Sequence, residues 1–171
     1  VMGFYGAGVE YGLHILLELS GEREAARPSA RDLADFLQLP VAYVRKIMTK
    51  LERAGLVAGA EGIEGGWVLA RAPADITALA VAEAVEGRRA LFECREIRAN
   101  CVLYEGRPPK HATSGVCSIH AVMIEAENRM RDSLAARTLA DIKRKVAKVR
   151  PRTSETAAQN WFSDRAATRR G

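Results

Sequence analysis

The chain has 171 residues, 48% hydrophobic and 27% charged, with a formal net charge of +5, which bounds it to one domain, or a small domain with an appendage, able to bury a core. No run of about 18 apolar residues occurs, so a transmembrane helix is excluded. The charge is lopsided: Lys143 to Gly171 holds nine basic and two acidic residues, a net +7 that leaves −2 for the rest, so any field that attracts a polyanion must come from local patches in the body or from the tail.

The opening VMGFYGAGVEYGLHILLEL lacks a basic leader and carries Glu10, His14 and Glu18 in its apolar run, which argues against a signal peptide and for a cytoplasmic protein. Val9 to Leu19 predicts a first amphipathic helix with Leu13, Leu16 and Leu17 on its apolar side. The stretch Ser29 to Val57 then reads as two helices around a tight turn. Ser29 and Asp32 form an S-x-x-D capping signal, and Leu33, Phe36 and Leu37 fall on one face. Pro40 cannot continue that helix but suits the start of another. The second helix buries Val44, Ile47, Met48 and Leu51, turns Arg45, Lys46, Thr49, Lys50 and Arg53 outward, and stops at Gly55. This shape fits a DNA major groove; taken alone it also fits a plain helical hairpin with a solvated basic face.

Two short apolar runs, Leu56 to Ala58 and Trp67 to Ala70, flank a glycine-rich loop, the pattern of a β-hairpin. A hairpin directly after a recognition helix is a wing. Asp75 or Thr77 starts a short helix that Gly87 ends. Leu91 to Cys117 lacks periodicity and reads as a long loop, longer than a compact domain keeps without a purpose. Ser118 to about Leu139 predicts a long helix in which Ile119, Val122, Met123, Ala126, Met130, Ser133 and Leu134 recur at three- and four-residue spacing. A second copy of that helix would bury the stripe; packing on its own domain is the alternative. Past Val149 the composition predicts a disordered tail.

The run GGWVLARAPADITALAVAEAVEG, Gly65 to Gly87, resembles the wing and following helix of the IscR-type (Rrf-two) family of bacterial transcription regulators. The similarity spans residues 3 to 142, in family order through the cysteine loop, the long helix and the TLADI segment Thr138 to Ile142. It implies a mainly α fold with a small β-hairpin: a winged helix-turn-helix domain (1–90), a cluster loop (91–117), a dimerisation helix (118–142) and a basic tail (143–171). It also implies a homodimer that binds double-stranded DNA, with no membrane partner, and an iron–sulfur cluster that tunes DNA affinity.

The family's three cysteines correspond here to Cys94, Cys101 and Cys117, a C-x6-C-x15-C pattern whose second gap is longer than the family's. Thiolates are the preferred cluster ligands, and three leave one position to fill. His120 follows Cys117 as in the IscR branch. Glu10 and His14 share a helix face and resemble the E-x3-H of the RsrR branch, where they complete a cluster held by two cysteines of the other subunit. Mixed N/O/S ligation favours a 2Fe-2S cluster. His111 is expected in solvent. Three cysteines in a cytosolic chain do not suggest a disulfide framework, and bare thiol sensing is the alternative.

Carried over residue by residue, Ser29 and Arg31 meet phosphate, while Ala42, Tyr43, Arg45 and Lys46 reach base edges. Arg45 is the candidate for guanine, and Thr49 and Lys50 for the backbone. Gly62 to Gly66, with Gly65 and Gly66 at their end, are small enough to enter a minor groove, although Glu61 and Glu64 repel phosphate. No nucleophile elbow, phosphate loop or H-E-x-x-H occurs, so an enzyme is not expected. Two readings compete with the cluster sensor: a cluster-free, thiol- or small-molecule-responsive repressor, and an interaction module whose basic tail binds acidic partners.

Overall fold

A computed structural model describes residues 4–21, 27–60 and 65–169. Eight helices and one hairpin follow in order among them: α1 (Ala7–Leu19), α2 (Ala30–Leu37), α3 (Val41–Arg53), β1 (Val57–Ala60), β2 (Gly66–Leu69), α4 (Ala78–Glu86), α5 (Lys110–Thr113), α6 (Ser118–Ala135), α7 (Leu139–Val149) and α8 (Arg152–Thr168). They form two compact units, Val1–Gly87 with Leu134–Gly171, and Arg88–Ser133.

In the first unit the local signals act as the sequence predicts. Ser29 Oγ accepts from the Asp32 backbone N–H at 3.1 Å, and Asp32 Oδ2 accepts from the Ser29 N–H at 2.8 Å, closing a capping box. Pro40 caps α3, and Val44, Ile47, Met48 and Leu51 are its buried face. The chain leaves α3 through Gly55 at φ +65°, a left-handed position that favours glycine. β1 and β2 pair antiparallel with Val57 opposite Leu69, and Thr77 caps α4 by accepting from the Ala80 N–H at 3.1 Å.

α1 buries more than its predicted stripe. It buries Gly8, Val9, Gly12, Ile15, Leu16 and Glu18, while Leu13 and Leu17 are half-buried. The two glycines explain the wider face: a Cβ on Gly12 would lie 3.3 Å from both Val81 and Val85, so α1 packs closely on α4 through bare backbone. The chain returns to this core after α6. The Leu139 N–H bonds the Ile76 carbonyl at 2.8 Å and the Ala78 N–H bonds the Arg137 carbonyl at 2.8 Å, seating Leu139 at 1% exposure. A second capping box, Thr138 with Asp141, starts α7 there.

The tail expected to be disordered is instead helical. α8 runs through Arg152–Thr168 and buries Ala158, Phe162 and Ala166, residues four apart on one face. The Phe162 ring stands 4.7 Å from Phe36 and 4.9 Å from Trp161, centroid to centroid. The stripe is only three residues wide, and the Ser, Thr, Arg and Ala around it hid it in the sequence.

In the second unit the cysteine segment is irregular but structured, with 3-10 turns at Ile97–Asn100 and Val102–Tyr104 and the single turn α5. α6 buries none of its residues. Ile119 is 69% and Val122 64% exposed, while Met123, Met130 and Leu134 are half-buried, so the predicted stripe is only partly covered within one chain.

Candidate DNA-reading surface and cysteine site

The recognition helix presents Ala42, Tyr43, Arg45, Lys46 and Thr49 to solvent. The Tyr43 ring meets Tyr11 of α1 edge-on, centroids 5.7 Å apart, which braces it without covering it. Among the described residues neither Arg45 nor Lys46 has an ion-pair partner, so both guanidinium and ammonium are available to an acceptor. Thr49 and Lys50 are more engaged. The Thr49 hydroxyl donates to the Arg45 carbonyl at 3.0 Å, and Lys50 Nζ donates to the Val85 carbonyl of α4. Arg31 is exposed on the first turn of α2 beside the N-cap Ser29.

Of the wing glycines, Gly62, together with Glu61 and Glu64, lies outside the described residues. Gly66 has a packing duty of its own. A Cβ there would collide with the Arg27 carbonyl oxygen, and the neighbouring Trp67 N–H donates to the Pro28 carbonyl at 2.9 Å. The segment entering the helix-turn-helix thus runs against the base of the wing, and only glycine lets it.

The second unit brings part of the predicted cysteine set together. Cys94, Cys117 and His120 line one cavity of about 250 Å³, with Phe92, Ile97 and Arg98 among its other walls. All three cysteines are free thiols. Cys117 directly precedes α6, and the backbone N–H groups of His120 and Ile119 lower its thiol pKa. Arg98 adds to that effect, while burial and Glu96 oppose it. The Glu96 carboxylate bonds the Arg98 guanidinium at 2.8 Å and holds its charge in place, with Cys117 and Cys94 adding to the same effect. Cys94 Sγ accepts from the Glu96 N–H at 3.4 Å, and the His120 ring lies 5.8 Å from Phe92.

Cys101 is not among the residues lining this cavity; it caps the Val102–Tyr104 turn. Glu10 and His14 share an exposed face of α1 in the first unit, and His111 is exposed as expected. Among the described residues no three of His, Cys, Asp and Glu converge as a ready metal site. Cys94, Cys117 and His120 thus share one cavity without converging as a ligand set in the single chain, and Cys101 lies outside that cavity. Arg98 is the residue that sequence reasoning missed. No sequence signal pointed to it, because its place comes from the turn that brings it to Glu96 and the Gly115 carbonyl.

A family profile described as "Rrf2: Iron-dependent Transcriptional regulator" matches residues 5–145. The chain belongs to the Rrf2 family. It is 31% identical over 134 residues to the regulator NsrR of Geobacillus kaustophilus, covering 78% of this chain and 84% of that one. It is likewise 31% identical to the protein rrf2 of Nitratidesulfovibrio vulgaris, over 78% of this chain and 83% of the relative. The fold matches that of CymR, the global cysteine regulator of Bacillus subtilis, with a TM-score of 0.65 at 24% identity over 84% of this chain and 98% of CymR. It matches T. potens IscR with a TM-score of 0.63 at 20% identity over 85% and 90%.

Membership makes this Rrf2 protein a DNA-binding transcriptional regulator with a winged-helix fold, not an enzyme. No helix of the described residues is long and apolar enough to cross a membrane. The family profile ends at residue 145, so α8 lies outside the shared region.

Proposed function

We propose that this Rrf2 protein is a cytoplasmic, homodimeric regulator whose grip on a palindromic operator is set by an iron–sulfur cluster. Cys94, Cys117 and His120 would hold that cluster, with Cys101 joining on assembly. The observation that carries this reading is their common cavity, combined with the lowered thiol pKa of Cys117. A thiolate is the form that ligates iron. Glu10 and His14 remain the other source for the last position, supplied by the second subunit. A 2Fe-2S cluster suits this mixed donor set, and it would supply a change of charge and geometry on oxidation, nitrosylation or loss of iron.

The protein's part in the switch is positional. Cys117 and His120 lie at the start of α6, whose uncovered Ile119 and Val122 are where a second copy would pack. Ligation there would fix the pitch of the dimer and hence the spacing of the two α3 helices, which must match half-sites about one DNA turn, or a multiple, apart. Arg45 would bond guanine O6 and N7, with Ala42, Tyr43 and Lys46 beside it at the base edges, and Arg31 would hold phosphate, whereas Ser29 already gives both its N–H and its hydroxyl to Asp32.

A cluster-free thiol switch is favoured by one observation: no three donors converge among the described residues. Cys94 and Cys117 would then lose two electrons and two protons to a peroxide and form a disulfide. A CymR relative of matching fold is known in an oxidised form.

Anaerobic purification with a visible spectrum and iron and sulfide assays on one sample decides between them. Charge-transfer bands with about two irons per subunit, bleached by Cys94→Ala or Cys117→Ala, are expected. Colourless, iron-free protein with unchanged spectra in each cysteine variant ends the cluster reading.

A further inference from the structure

We propose that α8, beyond the family's shared region, is a working part of the DNA-binding unit. In it Arg165 and Arg169 are positioning residues that neutralise Asp32 and Asp35 on α2. This rests on the family's DNA binding and is independent of the cluster.

α2 is the helix whose first turn offers the exposed Arg31 to phosphate, while Ser29 gives its N–H and hydroxyl to Asp32. A helix N-terminus attracts phosphate through its free N–H groups and dipole. Asp32 and Asp35 place two negative charges along that same helix. Asp32 is 5% exposed, and a carboxylate so buried needs a counter-charge as well as its capping hydrogen bonds. α8 provides it twice. Arg165 Nε lies 3.7 Å from Asp32 Oδ1, and Arg169 pairs with Asp32 Oδ2. Arg165 also reaches out to Asp35.

Three further contacts fix the geometry. The Arg165 guanidinium sits 5.1 Å over the Trp161 ring, which restricts it to the side of α8 that faces α2. Trp161 and Phe162 both stack against Phe36 of α2, at 5.2 and 4.7 Å. Arg169 donates to the Arg27 carbonyl at 2.9 Å, the oxygen against which Gly66 fits. One helix thus holds α2, the segment entering it at Arg27 and, through the Arg27 carbonyl, the base of the wing.

Both arginines spend their charge on aspartates, so they act through α2 and not on phosphate. That distinction is measurable. Full-length protein would be titrated by fluorescence polarisation against a duplex that the wild-type protein has selected from random sequence, across a range of salt. The variants are Arg165→Glu, Asp35→Arg, their double, and Phe162→Ala, which undocks α8 without changing charge.

Arg165→Glu and Phe162→Ala should each lower affinity by about tenfold, within the usual range for coupled elements, and shift the Trp161 emission. The salt slope should stay that of wild type, and the double-mutant cycle should show favourable coupling between Arg165 and Asp35. Wild-type affinity in both Arg165→Glu and Phe162→Ala overturns the proposal. So does a salt slope reduced by about one per arginine removed, which would make these residues direct phosphate ligands.

Discussion

At Cys117 the chain leaves an irregular segment and enters α6, so the thiol stands where free backbone N–H groups converge. Hydrogen bonding from those groups favours the thiolate, and Arg98 reinforces it. A lowered pKa means a larger thiolate share at any pH below the ordinary thiol range, so reactivity should persist to lower pH than for a free cysteine. In iron-free Cys94→Ala/Cys101→Ala protein, iodoacetamide should alkylate Cys117 with a pH midpoint below that of a cysteine peptide. Arg98→Ala should move the midpoint back up. A midpoint equal to the peptide's would remove the helix-terminus account of this site. The pattern of three cysteines was legible in the sequence because thiols in an otherwise unexplained loop suggest ligation. The role of Arg98 was not, since its effect depends on a turn that folds it back over Glu96 and Gly115.

Among the elements, α6 is the one whose sequence pattern and single-chain structure disagree most usefully. Its apolar residues repeat at helical spacing, yet none is buried. A stripe left this open is costly in water, and a second copy would cover it. Val122→Glu, at a position 64% exposed in one chain, should leave the folded subunit intact and convert a dimer to a monomer in sedimentation. A dimer that survives the change would move the interface elsewhere. α1 gives the converse case. Its periodicity pointed to Leu13, Leu16 and Leu17, of which Leu16 is fully buried and the other two pack partly buried against the core, but it could not flag Gly8 and Gly12, which complete the buried face. Hydrophobic counting misses a face whose value is the absence of side chains.

Across the whole molecule, the chain order is interrupted: the segment from Leu134 onward rejoins the winged domain after the cysteine unit. Its anchor is Leu139, buried to 1% exposure and flanked by backbone bonds to Ile76 and Ala78. Leu139→Ala should cost about 3 kcal/mol, from lost burial and the cavity left behind, seen as a Tm lower by roughly 10 °C. Were the domain complete without the returning segment, thermal melts would show no such loss. The division into a DNA-binding domain followed by a separate tail therefore needs revision, because α7 and α8 supply part of the first unit's core.

The sequence by itself determined what local rules govern. The cap at Ser29, the break at Pro40, the buried face of α3, the hairpin and the long helix all follow from hydrogen-bonding and periodicity within a few residues, while the start of α4, open between Asp75 and Thr77 in the sequence, is settled at Thr77 by the structure. Tertiary structure alone decided what depends on residues far apart. The pairing of Arg165 with Asp35 spans 130 positions, and Phe36 finds Phe162 only once α8 has folded back. A charged, weakly amphipathic segment reads as disordered until the opposite charges and the aromatic ring that order it are brought beside it. The same holds for the cavity that collects Cys94, Cys117 and His120, since spacing along the chain fixes which ligands exist but not which of them meet.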